Sequence, residues 1–256
     1  MRFLFVVFFS FFTLFISSCF FDNEEKRESI TMGLSPKGMY ELGETNIDAG
    51  TIDEAIKIWE QLQAAYPASK YSIQSRLDTA YNLYKKERYD EASAALEDYI
   101  KRYPDHFSTP YAYYLRAIVS ESKSKSILDE YITDNAQRDI SSVKQAFNLY
   151  LDLIETFPSS KYTEEAKSNL AKLRNVLARH ELFVAIFYTK NDAFVASIKR
   201  CKFIIEKFPN TPSVPAALHL MAYNYDKINA SKLAEDSRRI LKTTYPKYIP
   251  HYSLED

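Results

Sequence analysis

The chain has 256 residues, enough for one or two domains with a sizeable buried core. Lysine plus arginine number 33 against 34 acids, so there is no chain-wide field to draw in nucleic acid or an anionic membrane surface. Only four glycines occur, at 33, 38, 43 and 50, which argues against phosphate-cradling loops, nucleophile elbows and most all-β folds, because these lean on glycine for positive φ or close backbone approach.

Met1–Arg2 opens the chain with positive charge, and residues 3–16 are apolar apart from Ser10 and Thr13. Fourteen helical residues span only ~21 Å, short of a ~30 Å hydrocarbon core, so residues 1–18 are expected to be a signal peptide rather than a permanent span. The tetrad Ile16-Ser17-Ser18-Cys19 resembles the bacterial lipobox, in which the cysteine is acylated and becomes the mature N-terminus. Read without that resemblance, an ordinary signal peptide cleaved nearby leaves Cys19 as a free thiol. The resemblance implies a diacylglycerol and an N-acyl chain on Cys19, and no other cofactor is expected. Phe20 stands where many lipoproteins kept at the inner membrane carry aspartate. The expected location is therefore the periplasmic face of the outer membrane. Residues 19–35 are expected to be the lipidated cysteine and a flexible tether. A lipidated Cys19 leaves Cys201 without an intramolecular partner, and its helical pattern with Ile204, Ile205 and Phe208 predicts a small core residue.

From residue 36 the chain repeats. Aromatic–proline pairs end at Pro67, Pro104, Pro158, Pro209 and Pro246. Twelve residues before each proline stands a small residue: Ala55, Ala92, Ala146, Ser197 or Ala234. A second small residue lies twelve before that at Gly43, Ala80, Ala185 and Ala222, and Ala117 is its counterpart in the third repeat, displaced by an insertion. Two antiparallel helices approach closely only where a side chain is minimal at the crossing, and proline stops the second helix. This is the tetratricopeptide skeleton. The predicted fold is all-α, a superhelical solenoid of five tetratricopeptide repeats over 36–256, with repeats at about 36–67, 73–104, 110–158, 162–209 and 215–246. Ser69, Ser160 and Thr211 are expected to cap the helices that follow the prolines. Residues 120–141 are expected to form a helix extension and loop, and 162–188 one long helix.

The chain is not expected to be an enzyme. His106, His180, His219 and His251 show no paired spacing, and there is no CxxC, HExxH, GxSxG or Walker loop. The expected working surface is the face lined by the first helix of each repeat. Tyr40, Tyr81, Tyr84, Tyr111 and Tyr114 fall on it, with Lys85 beside them. Two roles remain open for these rings: packing between helices, or a flat platform for an extended peptide whose carboxylate Lys85 receives.

The segments RDISSVKQAFNLYLDLIETFPSSKYTEEA and LARHELFVAIFYTKNDAFVASIKRCKFIIEKFPNTPSVPAAL, together with the lipobox, the interrupted third repeat and the long helix, resemble the BamD (ComL/YfiO) family. That family consists of lipoproteins of the outer-membrane β-barrel assembly machinery. The resemblance implies a scaffold and substrate-recognition role in folding and inserting β-barrel proteins. It implies as partners the periplasmic domain of the barrel-forming subunit, unfolded outer-membrane proteins, other assembly lipoproteins and the membrane through the lipid, with no nucleic acid. It places the peptide on the first two repeats and assigns Arg200 to the barrel-forming subunit. The alternative is a periplasmic tetratricopeptide adaptor of peptidoglycan or cell-division machinery, which shares the FPxSxY phrase.

Overall fold

The computed structural model describes residues 31, 33–129 and 140–250, with the side chains of 124–129 outside the description. The signal peptide, Cys19 and His251 therefore lie outside the described residues. Ten α-helices and no strand are found among the described residues. The chain divides into two compact units, Met1–Lys86 and Glu87–Asp256.

The first unit contains α1 (Pro36–Asp48), α2 (Ile52–Ala65) and α3 (Lys70–Lys85). Ser35 caps α1, its Oγ accepting the Gly38 N–H, and Pro36 sits at the first helical position, where its missing N–H costs nothing. The core of the unit is Met39, Trp59 and Leu62. Trp59 is 1% exposed, and its indole N–H donates to the Tyr40 carbonyl at 3.1 Å. A Cβ on Gly43 would lie 2.0 Å from that indole nitrogen. The first crossing thus needs glycine because the largest side chain of the chain lies over it. The end of the expected tether belongs to this unit, a correction to the predicted boundary: Leu34 packs against the core, the Tyr66 hydroxyl donates to its carbonyl at 3.2 Å, and the Thr31 hydroxyl donates to Gln61 at 3.0 Å.

The second unit contains α4 (Tyr89–Arg102), α5 (Thr109–Asp129), α6 (Ser141–Thr156), α7 (Thr163–Lys190), α8 (Phe194–Lys207), α9 (Ser213–Lys227) and α10 (Ser231–Thr244). Each helix packs on the next, and α7 also touches α9. The small residues Ala92, Ala117, Ala146, Ala185, Ser197 and Ala234 are each fully buried. The residues four beyond the second small position, Leu96, Tyr150 and Cys201, fill the space beside the crossings and are also fully buried. In the last repeat the same position is Arg238, which pairs with Asp226 and gives the end of the array a solvated face. Helix α7 is 28 residues long. Its first half puts Ala166, Leu173 and Leu177 into one apolar cluster with α5 and α6, and its second half puts Ala185 into another with α8 and α9.

Two local devices differ from expectation. Thr211 does not cap the following helix, whose N-cap is Pro212 without a side-chain bond, whereas Ser160 accepts the Tyr162 N–H at 3.3 Å just ahead of α7. Hydroxyls also close the preceding helices. Thr211 donates to the Phe208 carbonyl at 2.9 Å, and Ser72, Thr109 and Thr163 donate to the carbonyls of Tyr66, Tyr103 and Phe157. Three of these carbonyls also accept a turn amide, that of Ser69 on Tyr66, His106 on Tyr103 and Ser160 on Phe157, so the hydroxyl is their second donor at the end of the helix. Ser69, like Ser160, accepts the N–H two residues on, that of Tyr71 at 3.2 Å. The second departure is the turn inside each repeat. The first repeat uses Gly50 at φ 81°, but Glu87, Asp192 and Asn229 take the left-handed position in later ones. In the fourth repeat the Ala193 and Asp192 N–H groups bond the carbonyls of Tyr188 and Thr189, and Ala230 and Asn229 repeat the pattern on Tyr225 and Asp226. Scarcity of glycine therefore does not mean scarcity of left-handed turns.

Candidate functional site

In the first unit the expected ring platform separates into two parts. Tyr40 is a packing residue. Its ring stacks on Trp59 at 6.0 Å and leans on Tyr71 at 5.6 Å. Its hydroxyl donates to Asp78 at 2.7 Å, and Gln74 donates to the other carboxylate oxygen at 2.9 Å. This bond ties α1 to α3. Burial raises the Asp78 pKa against the opposing pull of Tyr40 and Gln74, and burial together with the Asp78 charge raises that of Tyr40. Sequence alone does not single out Asp78. An acid on the first helix of a repeat carries no signal until its tyrosine partner, 38 residues away, is known.

Tyr81, Tyr84 and Lys85 have a different setting. Tyr81 is 40% exposed and Tyr84 half-buried, with ring centres 6.5 Å apart and tilted by 49°. Lys85 is exposed in the last turn of α3. Together they offer apolar ring area and a cation on one end of a single helix.

The second unit holds Tyr111 and Tyr114. Tyr114 is 7% exposed and stacks on Tyr162 at 5.2 Å, and Tyr111 meets the same ring at 5.4 Å. Burial and the neighbouring Glu165 raise the Tyr114 pKa. Packing, one of the two roles the sequence leaves open for these rings, is thus the contact observed for Tyr40, Tyr111 and Tyr114. The reason is that Trp59 and Tyr162, which cover them, arrive from other segments of the fold.

Arg200 donates to Glu181 at 2.9 Å, with Glu181 at 9% side-chain exposure and Arg200 at 44%. Glu181 orients the guanidinium from α7 and leaves its outer part in solvent. Cys201 is buried, and desolvation pushes its thiol up to about 12, which keeps it protonated and unreactive at neutral pH. His106 accepts the Ser108 N–H at Nδ1 and meets the Tyr99 hydroxyl at 2.8 Å, a loop-closing role. Among the described residues, no group of three or more His, Cys, Asp or Glu is arranged to hold a metal ion. No described helix is long and apolar enough to cross a membrane.

Antiparallel helix pairs in tetratricopeptide register, crossing at small buried residues, define a tetratricopeptide-repeat protein. A family model described as "YfiO: Outer membrane lipoprotein" matches residues 32–240, and the chain belongs to that family. It is 34% identical to an outer membrane protein assembly factor BamD of Neisseria gonorrhoeae, over 87% of this chain and 84% of the relative. It is 28% identical to the BamD of Xylella fastidiosa strain Temecula1, over 92% and 80% respectively. Among solved structures it is similar to a tetratricopeptide-repeat protein of Thermus thermophilus, at 14% identity and a TM-score of 0.35, over 83% of this chain and 93% of that one. The names of the relatives support the outer-membrane assembly reading and lend nothing to the cell-wall adaptor.

Proposed function

We propose that this chain is a non-enzymatic scaffold of outer-membrane β-barrel assembly, anchored at the periplasmic face by acyl chains on Cys19. The observation that carries the reading is membership of the outer-membrane lipoprotein family across 32–240, together with relatives named as assembly factors. Its partners are the periplasmic domain of the barrel-forming subunit, unfolded outer-membrane proteins and companion lipoproteins. Arg200 supports the first contact, since Glu181 holds it in one orientation while its outer part stays in solvent. For the substrate, the patch that remains is Tyr81, Tyr84 and Lys85, on which an extended C-terminal strand finds flat rings and a cation for its carboxylate.

Crosslinking in outer-membrane extract followed by purification tests the scaffold role. Recovery of the barrel-forming subunit is expected, and recovery of cell-wall or division proteins in its place overturns it. Fractionation of a Cys19→Ser chain tests the anchor, with release from the membrane expected. For the patch, a synthetic C-terminal barrel peptide is titrated against three chains. Tyr81→Ala should cost ~1–2 kcal/mol of binding with the fold intact. Lys85→Glu should weaken binding more at low salt than at high salt, because an exposed charge contact is screened. Equal affinities for wild type and both variants rule the patch out.

A further inference from the structure

In the first helix of a repeat, the positions two before and two after the small residue face the preceding repeat. In the third repeat they are Leu115 and Val119 and in the fifth Leu220 and Asn224, all four 2% exposed or less. Bonds fix the direction these positions face. Asp78, two before Ala80, is bonded to Tyr40 of the first repeat, and Asn224 is bonded to Thr189 and Ser197 of the fourth. In the first repeat, which opens the array, the same positions are Glu41 and Thr45, both exposed. The array thus buries these positions where a preceding repeat covers them and makes them polar where none does.

The fourth repeat breaks this rule. Its two positions are Phe183, half-buried, and Phe187, 57% exposed. The cause is the length of α7. It contributes to the apolar cluster with α5 and α6 as far as Leu177, and its second half turns to α8 and α9 instead. Two phenylalanines are left open at the seat that a helix occupies elsewhere in the array. Arg179, Phe183, Phe187 and Lys190 follow at intervals of four, four and three, so they lie along one face of α7, with both cations exposed. Between Ala166 and Lys190 the one acid of α7 is Glu181, which is bonded to Arg200 and lies about 120° round the helix from Phe187. The face is apolar at its centre and basic at both ends, and it is not the side that holds Arg200.

We propose that this face of α7 docks an amphipathic helix of a partner protein, apolar along one side and carrying carboxylates at its ends. The register selects a helix, because the same positions meet helices in the other repeats. Charge complementarity selects the acids, through Arg179 before the rings and Lys190 after them. The contact goes beyond the scaffold role proposed above and is independent of the Tyr81 patch and of lipidation at Cys19.

The test uses the secreted chain carrying Cys19→Ser, so that acyl chains cannot take up the probe. Two labelled synthetic peptides of alanine and leucine, each with a leucine stripe along one helical face, are titrated by fluorescence anisotropy. One carries glutamates at both ends of the stripe and the other lysines. The glutamate peptide should bind about 10-fold tighter than the lysine peptide, by a margin that salt narrows. Phe187→Ser should weaken the glutamate peptide about 10-fold with no drop in melting temperature, because the ring is more than half exposed. Arg179→Glu should shift the preference toward the lysine peptide, a change that loss of folded protein does not produce. Four results overturn the proposal: no binding of the glutamate peptide at millimolar concentration, equal binding of the two peptides, binding that both variants leave unchanged, or self-association of the chain that Phe187→Ser abolishes, which assigns the face to a second copy.

Discussion

The crossing of α1 and α2 and the crossing of α7 and α8 share one skeleton and close it by opposite means. At the first, Gly43 yields all its space and Trp59 fills it, so the contact rests on volume. At the second, the position that is alanine in other repeats is Ser197, and it is bonded rather than filled. The Thr189 and Ser197 hydroxyls lie 2.8 Å apart, and the Asn224 amide donates to Ser197 at 2.9 Å and to Thr189 at 3.0 Å. Asn224 and Ser197 are fully buried and Thr189 is 5% exposed. A repeat thus demands a small residue for geometry and leaves the source of the stabilisation open. Packed volume is lost in proportion to the atoms removed. A buried polar triad fails when one member leaves, because the others keep their desolvation cost without a partner.

Trp59→Ala is the harshest break of the comparison. Removing the indole leaves a cavity over Gly43, and a loss of about 3–5 kcal/mol is expected in denaturant unfolding. Gly43→Ala approaches the same crossing from the other side, since its Cβ meets the indole, and overpacking should cost ~1–3 kcal/mol. The Gly43→Ala, Trp59→Phe double variant should recover part of that loss, because the smaller ring admits the methyl group. At the polar crossing, Asn224→Ala should cost ~1–3 kcal/mol, because Thr189 and Ser197 lose the amide and keep each other, the Ala185 carbonyl and the Cys201 thiol. A triple change of Asn224→Leu, Ser197→Ala and Thr189→Val should cost less than the single one if unmet polarity, not lost volume, is the cause.

The smallest effect concerns the tie between α1 and α3. The folded pKa of Asp78 lies above its unfolded value, so the folded state binds the proton more tightly. The resulting stability is fully present below the unfolded pKa and is lost as pH rises through the folded one. Asp78→Asn should remove this dependence. It should flatten the melting temperature from the ordinary carboxylate range up through the raised value, and raise it slightly at neutral pH, since an amide carbonyl still accepts from Tyr40. An unchanged pH profile in the variant would sink this account.

The helices and their phase are written locally. Proline stops a helix through its own ring, and a crossing requires a small residue whatever its neighbours are, so Ala92, Ala146 and Pro158 disclose the repeat without reference to a partner. The 28-residue α7 is readable for the same reason, because no proline or glycine interrupts its apolar spacing. The roles of the tyrosines are not readable. Tyr40 and Tyr81 have the same chemistry in neighbouring repeats, and only the arrival of Trp59 and Asp78 commits one of them to the core. Tyr114 is covered by Tyr162, which belongs to the following repeat, so its burial is decided by how the helices meet. The glycine count misleads about the turns, since Asp192 and Asn229, residue types that tolerate the left-handed conformation, and Glu87, which carries no such signal, take that position. Charge composition misleads about the surface, since near-neutrality says nothing of how charge is divided among helices. The sequence by itself determined where helices begin, stop and cross, because propensity, proline and side-chain size act within a few residues. Tertiary structure decided which rings are spent and which are offered, because burial belongs to pairs of distant residues.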